Sequence, residues 1–284
     1  MFPPPPLTPP EAGSKRDGDG VWSPLPARGL SPSPFAMTVI HPHPTSPLIE
    51  VAVAAVDLTR ASLNLAAGKE EPTSSAVAAA DRTGLVPASE LDRLLAMTNG
   101  GFKARHGSHG MKVGETEFLP PIDADCTLAR TRSGELRLGT WSRLAPEAAD
   151  FAWFRQGAPC LVEDGAPGPE TTAPFNVRVW GAAENGQRDI RRSAYALSKE
   201  KDVLYFAIGN QVEPAFFAKA LAAIGMQSAC QFDINYSYVR FVVFERGDSG
   251  DFTASNPLMK DLKYSKGEGW KNPSARDFFY FLQR

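Results

Sequence analysis

A glycine- and histidine-rich segment, residues 99–110, combines the residue types that a loop uses to bind a polar or anionic ligand. Glycine permits positive φ angles and lets a ligand approach bare backbone N–H groups. Amide and imidazole side chains add neutral donors and acceptors, and two cationic side chains add positive charge. A glycine-rich turn that ends a preceding helix explains the same residues equally well. The candidate ligand-binding residues here are Asn99, Gly100, Gly101, His106 and His109.

The two histidines of this segment, His106 and His109, lie three residues apart and can reach a common ligand. A metal centre needs at least a third protein ligand, and no histidine or cysteine with suitable spacing supplies one. We therefore expect no metal and no cofactor, and we place both histidines at the rim of a binding cleft.

A second candidate is the segment 231–235, in which polar and apolar residues alternate. In a strand, Asp233 and Asn235 share one face with Gln231, and the apolar side chains share the other. The polar face is either ordinary solvent surface or the floor of a cleft. Aspartate is disfavoured inside strands, so a specific role for Asp233 is plausible on the pattern alone.

The third candidate is the run Arg191-Arg192-Ser193, which precedes an apolar stretch. A guanidinium group matches a phosphate or carboxylate with two parallel hydrogen bonds, so one arginine of the pair can clamp an anion. Paired arginines at the start of a strand are also common as solvated surface residues.

Composition excludes some partners and leaves others open. The formal net charge is −2 over 284 residues, so nothing favours nucleic acid as a partner. No segment approaches the roughly 18 consecutive apolar residues of a transmembrane helix. The N-terminus lacks the features of a signal peptide, so either the protein stays inside the cell or a targeting segment lies upstream of Met1.

A folded domain must hold the candidate functional residues in place, and it is expected to begin after an N-terminal segment of unusual amino-acid composition. Residues 1–37 are rich in proline, glycine and serine, a composition typical of a disordered or polyproline-like leader. Trp22 is a possible isolated anchor of this leader. Residues 38–284 are expected to form one domain.

The remaining patterns predict an α+β fold with few helices and a mixed or antiparallel sheet. Two helices are expected, one after Pro87 that carries Leu91, Leu94 and Leu95, and one from Pro214 that Gly225 caps. The strands are predicted at residues 49–57, 62–66, 127–131, 136–141, 191–197, 203–208, 231–235 and 239–244, and residues 276–282 are expected to dock against the core.

The three cysteines are widely separated and form no C-x-x-C motif. They are expected to be small buried hydrophobic residues. One disulfide with a single cysteine left over is also possible. The pairing among Cys126, Cys160 and Cys230 is open at the level of sequence.

Taken in order, several of these segments resemble the phosphodiester glycosidase family, which includes bacterial envelope and exopolysaccharide-associated proteins. The resemblance covers roughly residues 38–284. It rests on the early strands that end near residues 68–72, the N-G-G-F element at 99–102, the hairpin at 127–141, the block 155–165, the R-S-A element at 192–194, and the segment 231–235 after a helix.

The resemblance implies hydrolysis of a sugar-1-phosphodiester at the anomeric carbon. Asp233 would act as the catalytic carboxylate, and Arg192 and the glycine N–H groups would bind phosphate. The implied binding residues are completed by Asn99, Ser193 and Asn235. Because relatives are mostly exported, the resemblance also implies an extracytoplasmic location.

One departure from the family pattern supports a different function. Typical members carry Asn-Leu-Asp-Gly-Gly-Gly-Ser where this chain has residues 231–237, so Asp233 and Ser237 match but three glycines are replaced. The alternative is a non-catalytic glycan- or polyanion-binding domain of the same fold. In it, Trp141, Trp153 and Trp180 would be sugar-stacking platforms, unless they pack in the core.

Overall fold

The computed structural model describes residues 1–9, 16–246, 252–262, 264–265 and 267–284. These residues form eighteen strands, in chain order β1 (Ser23–Leu25), β2 (Phe35–Ile40), β3 (Glu50–Asp57), β4 (Ala61–Ala66), β5 (Leu94–Asn99), β6 (Met111–Val113), β7 (Thr116–Leu119), β8 (Cys126–Thr131), β9 (Leu136–Thr140), β10 (Phe151–Gln156), β11 (Val162–Glu163), β12 (Ala166–Pro167), β13 (Ile190–Leu197), β14 (Val203–Val212), β15 (Ser228–Gln231), β16 (Phe241–Arg246), β17 (Phe252–Ser255) and β18 (Phe278–Gln283).

Helices are few and short. The α-helices of the described residues are α1 (Trp141–Leu144), α2 (Pro169–Thr172), α3 (Val177–Trp180) and α4 (Pro214–Ala223), and the 3-10 helices are Ala79–Asp81, Ala88–Arg93 and Ala145–Asp150. In the described part of the chain, none has the length and hydropathy needed to cross a membrane.

The strands form three antiparallel sheets. The largest has the order β1-β2-β3-β14-β13-β15-β11-β12, and two five-stranded sheets have the orders β7-β6-β10-β8-β9 and β17-β16-β5-β18-β4. Every strand pairing among the described residues is antiparallel. The predicted α+β class with few helices is therefore confirmed.

The central strands of the largest sheet are covered on both faces, which explains their continuous apolar sequence. Along β3, Ala52, Ala54 and Val56 face one hydrophobic cluster, and the residues between them face another. Helix α4 covers the second face through Phe217 and Leu221. As predicted, this helix starts at Pro214, and Gly225 follows it with a φ of +89°.

Aromatic side chains join the sheets at the centre of the first cluster. The Phe279 ring of β18 lies 5.0 Å from Tyr195 of β13, 5.2 Å from Phe232 and 5.8 Å from Trp153 of β10. These four residues come from all three sheets and the segment after β15. The core thus fixes the backbone next to Asp233.

The helix predicted after Pro87 is wrong. A short 3-10 helix occupies Ala88–Arg93, and the chain continues as β5. All six residues of β5 are buried, because β16 and β18 flank it on both edges. The helical spacing of Leu91, Leu94 and Leu95 therefore arises from a 3-10 turn followed by a buried strand. The glycine-rich segment 99–110 accordingly follows a strand and not a helix.

The strand predicted at 231–235 is also largely wrong, because β15 ends at Gln231. The Asp233 carboxylate accepts a hydrogen bond from the Asn235 N–H at 2.6 Å, and the Asn235 side chain accepts one from the Ser237 N–H at 2.9 Å. Such side-chain bonds to the backbone two residues ahead replace strand pairing with turns.

The structure does not show a disordered leader over the described residues 1–9 and 16–37. Strand β1 pairs with β2 at the edge of the large sheet, and Leu7 is buried and donates a backbone hydrogen bond to Gly20. The Trp22 ring stacks on Tyr205 at 6.2 Å. The described parts of this segment therefore pack on the domain, through a few apolar side chains within a proline-rich sequence.

Cys126 and Cys160 form a disulfide across 34 residues, and Cys230 is a buried free thiol. The sequence allowed either three buried thiols or one disulfide with a single cysteine left over. The structure has the disulfide, and the remaining cysteine, Cys230, is a small buried residue in the core. Burial raises the pKa of the Cys230 thiol far above its ordinary value, so it is not a reactive thiolate.

Reduction of this disulfide is expected to destabilise the fold by about 2–4 kcal/mol, because the closed loop restricts the unfolded chain. A domain of this size should then unfold roughly 5–15 °C lower in the presence of dithiothreitol. Differential scanning calorimetry with and without reductant measures the shift. Cys230→Ala should retain the sensitivity, and Cys126→Ala/Cys160→Ala should lack it; an unchanged transition in the reduced wild type contradicts the prediction.

Candidate active site

An open cleft of about 1180 Å³ lies where the glycine segment, the end of β13 and the segment after β15 meet. Its lining is strongly charged and includes five basic and four acidic side chains. These are Lys103, Arg105, Arg178, Arg191 and Arg276, and Glu184, Asp189, Asp233 and Asp261.

The Asp233 carboxylate lies in the cleft wall with only 4% of its side chain exposed. One oxygen accepts the Asn235 N–H, and the other forms a short ion pair with the Arg276 guanidinium. Burial raises the pKa of Asp233 above its ordinary value, while the nearby Arg276 partly opposes this shift. A desolvated carboxyl group with such a pKa is suited to acid–base or nucleophilic chemistry.

Arg276 precedes β18 and is held from three directions. It donates to the Gly101 carbonyl at 2.8 Å and to Asp233, and its guanidinium lies 4.0 Å above the Tyr238 ring. The structure records no partner for its buried Nε. The cleft therefore contains an oriented cation in contact with the candidate catalytic carboxylate.

Ser193 and Asn99 support Asp233 through its backbone. The Ser193 hydroxyl donates to the Asp233 carbonyl at 2.7 Å and accepts from the Asn99 amide at 2.9 Å. The Asn99 oxygen accepts the Arg240 N–H at 3.2 Å. Both side chains are fully buried, so they join β5, β13 and the Asp233 segment beneath the cleft.

The glycines at 100 and 101 lie against a buried ion pair. Arg155 donates from Nε to the Asp277 carboxylate at 2.9 Å, with both side chains fully buried. The same carboxylate accepts the Gly101 N–H at 2.9 Å. A Cβ at Gly101 would lie 2.4 Å from the Arg155 guanidinium, and one at Gly100 would lie 2.3 Å from Asp277. These glycines are required by close packing, and the Gly101 N–H is not free to bind phosphate.

Replacement of Gly101 by alanine is expected to destabilise the protein by about 1–3 kcal/mol, because the added methyl must displace a buried guanidinium. Urea unfolding followed by tryptophan fluorescence measures the change. Gly139→Ala is the matched control, since its Cβ would meet only one side-chain oxygen at 3.5 Å. Equal stability of the Gly101 and Gly139 variants contradicts this account.

Arg192 lies behind the cleft wall and does not line it. Its guanidinium donates to the carbonyls of Val212, Trp180 and Arg188 and to the Gln231 side chain, at 2.7–3.0 Å. Burial lowers the pKa of Arg192 to about 10. All its nitrogens have protein partners, so it braces the strands and is not the anion clamp expected from the sequence.

Arg191 projects to the opposite side of β13 and lines the cleft. It donates to the Asp261 carboxylate at 2.7 Å, and its guanidinium lies 3.9 Å from the Tyr236 ring centroid. Partial burial opposes ionisation of Asp261, but hydrogen bonds from Tyr236 and Arg191 outweigh it and hold the Asp261 pKa below its ordinary value. Of the arginine pair, only Arg191 is positioned to meet a ligand.

The two histidines have different positions. His106 lines the cleft at its exposed rim, and partial desolvation and the adjacent Arg105 lower its pKa, which favours the neutral imidazole at pH 7. His109 is buried, with its Nδ1 2.6 Å from Asp125 and its ring 5.4 Å from Phe102, and it does not line the cleft. Among the described residues, no cluster of His, Cys, Asp and Glu has the geometry of a metal site.

The structure thus brings Asp233, Asn235 and His106 to the cleft, and places Asn99, Gly100, Gly101 and Ser193 beneath it. Sequence reasoning missed Arg276, Tyr236 and Asp261. A signal for Arg276 existed, because two charged residues precede the aromatic β18 and must be paired once buried. Trp141, Trp153 and Trp180 are at most 7% exposed and pack in the hydrophobic clusters, so they are not stacking platforms.

No protein-family model matches the chain, and no curated protein matches it. Among solved structures, a hypothetical protein from Synechocystis is 13% identical with a TM-score of 0.51, over 88% of this chain and 62% of that one. The zebrafish N-acetylglucosamine-1-phosphodiester alpha-N-acetylglucosaminidase catalytic domain, auto-inhibited by its pro-peptide, is 14% identical with a TM-score of 0.49, over 96% and 94%. The chain therefore shares its fold with the Synechocystis protein.

Proposed function

We propose that this protein hydrolyses a sugar-1-phosphodiester in the cleft, with Asp233 as the catalytic carboxylate. The observation that carries the proposal is the buried Asp233–Arg276 pair in the wall of the charged cleft. A phosphodiester needs a cation, and cleavage at the anomeric carbon needs a carboxylate beside it. The sequence resemblance to phosphodiester glycosidases points to the same reaction.

Arg276 is the proposed phosphate-binding residue, in place of Arg192. In the free protein its guanidinium is paired with Asp233. A phosphodiester anion that binds Arg276 would compete for this cation and free one Asp233 oxygen for the sugar. Lys103 and Arg105 on the adjacent wall add positive charge that attracts the anion into the cleft.

The reaction breaks the bond between the anomeric carbon and the bridging phosphate oxygen. Water supplies the oxygen of the free sugar, and the phosphomonoester leaves with the bonding electrons. A carboxylate stabilises the oxocarbenium-like transition state, directly or by activating water. Because a phosphomonoester is a weak base, its departure makes little demand on a general acid. One well-placed carboxylate therefore suffices for the proposed chemistry.

The direct test is incubation of the purified protein with a panel of sugar-1-phosphodiesters that differ in sugar and in alcohol. Free sugar and phosphomonoester should form in equal amounts, and solvent ¹⁸O should appear in the sugar. Label in the phosphate would indicate attack at phosphorus instead. Absence of product from every panel member contradicts the proposal.

A non-catalytic glycan- or polyanion-binding domain is the second candidate. Tyr236 and Val177 favour it, because both line the cleft and are largely exposed, Tyr236 to 50% and Val177 to 56%. Exposed aromatic and apolar side chains in a charged cleft suit a sugar ring. Saturable binding of phosphodiester sugars without any product, at unchanged affinity in Asp233→Asn, supports this candidate over hydrolysis.

We also propose that the protein acts outside the cytoplasm, in cell-envelope or exopolysaccharide metabolism. The disulfide between Cys126 and Cys160 supports this location, because disulfides form and persist in oxidising compartments. Thiol labelling of protein taken directly from its native cells tests it. A Cys126–Cys160 pair that is fully reduced in the cell contradicts the proposed location.

A further inference from the structure

One corner of the cleft takes no part in the proposed hydrolysis. It consists of Arg191, Asn210, Tyr236 and Asp261. The side chain of Arg191 is only 2% exposed, and its Nη2 donates to Asp261 at 2.7 Å and to Asn210 at 3.4 Å. Its Nε and Nη1 are buried and have no partner in the structure. Unpartnered donors on a buried cation are costly, and a ligand would remove this cost.

A β-bulge directs this corner toward the cleft. The pairing of β13 with β14 shifts register between Ile190 and Arg192, so Arg191 lies opposite extra residues of β14. Gln211, one of these residues, has a φ of +56° and lines the cleft. Bulges re-aim side chains and occur often beside functional sites. Here the bulge places Arg191 in the cleft, next to the fully braced Arg192.

The ring of Tyr236 and the carboxylate of Asp261 hold the guanidinium in the free protein. Tyr236 stacks on its face and hydrogen-bonds to Asp261. The Asp261 side chain is 50% exposed, so it can be displaced. The Asp261 carboxylate thus occupies the position on the Arg191 guanidinium that an acidic group of a ligand would take.

We propose that Arg191 is the centre of a second anion-binding subsite, which binds an acidic group of the substrate other than the phosphodiester. The inference rests on the proposed function and specifies its substrate class: sugar phosphodiesters with a further carboxylate or phosphate. That group replaces Asp261 on the guanidinium. It belongs either to the sugar, as in a uronic acid, or to the alcohol, as in a phosphorylated glycerol.

Non-hydrolysable probes separate binding from turnover. We would use C-glycosyl phosphonate methyl esters of glucose and of glucuronic acid for the sugar source, and glycerol and glycerol 3-phosphate esters of the glucosyl phosphonate for the alcohol source. Calorimetry gives each Kd. At least one probe with the additional acidic group, here called the acidic probe, should bind about tenfold or more tightly than its matched probe whose only charge is on the phosphonate, as a charge-assisted contact implies. The matched probe is called the singly charged probe.

Two variants with opposite expected effects test the subsite. Arg191→Gln should abolish the preference for the acidic probe and change the Kd of the singly charged probe by less than about twofold. Asp261→Asn removes the competing carboxylate and should strengthen binding of the acidic probe alone. Arg143→Gln, which removes an exposed arginine outside the cleft, should change neither. If Arg191→Gln fails to fold, the affinity of Asp261→Asn for the acidic probe still tests the subsite.

Equal binding of the acidic and the singly charged probes by the wild type would overturn the subsite, as would weaker binding of the acidic probe by Asp261→Asn. These outcomes are distinct from failure of the proposed function. Hydrolysis without any preference for the acidic probe supports the proposed enzymatic function and contradicts the second anion-binding subsite. A strong acidic preference without hydrolysis of the corresponding phosphodiesters retains the subsite in a protein that only binds.

Discussion

Asp233→Asn is expected to lower kcat for sugar-1-phosphodiester hydrolysis by about 10²–10⁴-fold, the range that a positioned acid–base group contributes. Asparagine retains the shape of the side chain and its acceptor for the Asn235 N–H, but it cannot act as base or nucleophile. The Arg276 partner has 11% of its side chain exposed, so solvent can compensate its charge and the variant should stay folded. Steady-state kinetics and circular dichroism measure both effects.

The pH profile adds a second readout for Asp233. Burial raises the pKa of Asp233 above its ordinary value, so the limb of the kcat profile due to this residue should lie at a higher pH than that of an ordinary aspartate. A rate that rises through this limb with pH assigns the ionised carboxylate, and a rate that falls assigns the acid. Asp164→Asn, an exposed carboxylate paired with Arg143, is the control. Full activity of Asp233→Asn would exclude Asp233 as the catalytic residue.

Asp277→Asn and Arg155→Met are each expected to destabilise the fold by about 3–5 kcal/mol, because either change leaves a buried charge without its partner. Both side chains are completely buried. Arg155 also donates to the carbonyls of His109 and Phe102 at 2.8 and 2.7 Å. The ion pair therefore also fixes the backbone of the glycine-rich segment 99–110. Urea denaturation of each variant measures the loss.

The double variant Arg155→Met/Asp277→Asn should lose less stability than the sum of the single variants, since it leaves neither charge unpaired. The exposed pair of Arg132 and Glu115, with side chains 51% and 85% exposed, supplies the control. Glu115→Gln should change the free energy of unfolding by less than about 1 kcal/mol. Additive effects of the two buried substitutions would show that the pair is not a coupled unit.

Strong local patterns in the sequence were sufficient to predict much of the fold. Two strand-like runs on either side of residues 132–135 predicted the hairpin, and a start at Pro214 with Gly225 as the cap predicted α4. The helix after Pro87 failed because helical spacing of leucines also fits a turn that leads into a fully buried strand. Burial from β16 and β18 outweighed local propensity there.

The candidate site was less predictable, because its contacts join distant parts of the chain. Asp233 and His106 were found from their residue types and local pattern, and both lie in the cleft. Arg276 is 43 residues from its partner Asp233, and no local pattern links them. The choice between Arg191 and Arg192 depended on strand phase and on a bulge, which the sequence does not reveal.

The hydrogen-bond chain from Asn99 through Ser193 to Asp233 has a consequence for cooperativity. Asn99 belongs to one five-stranded sheet and Ser193 to the eight-stranded sheet, while Arg155 of the other five-stranded sheet holds the neighbouring glycine segment. Partial opening of any one sheet would therefore dismantle the cleft floor before the remaining sheets unfold. Ligand binding at the cleft would in turn bias all three sheets toward their docked arrangement, so occupancy of the site reports on the integrity of the entire domain.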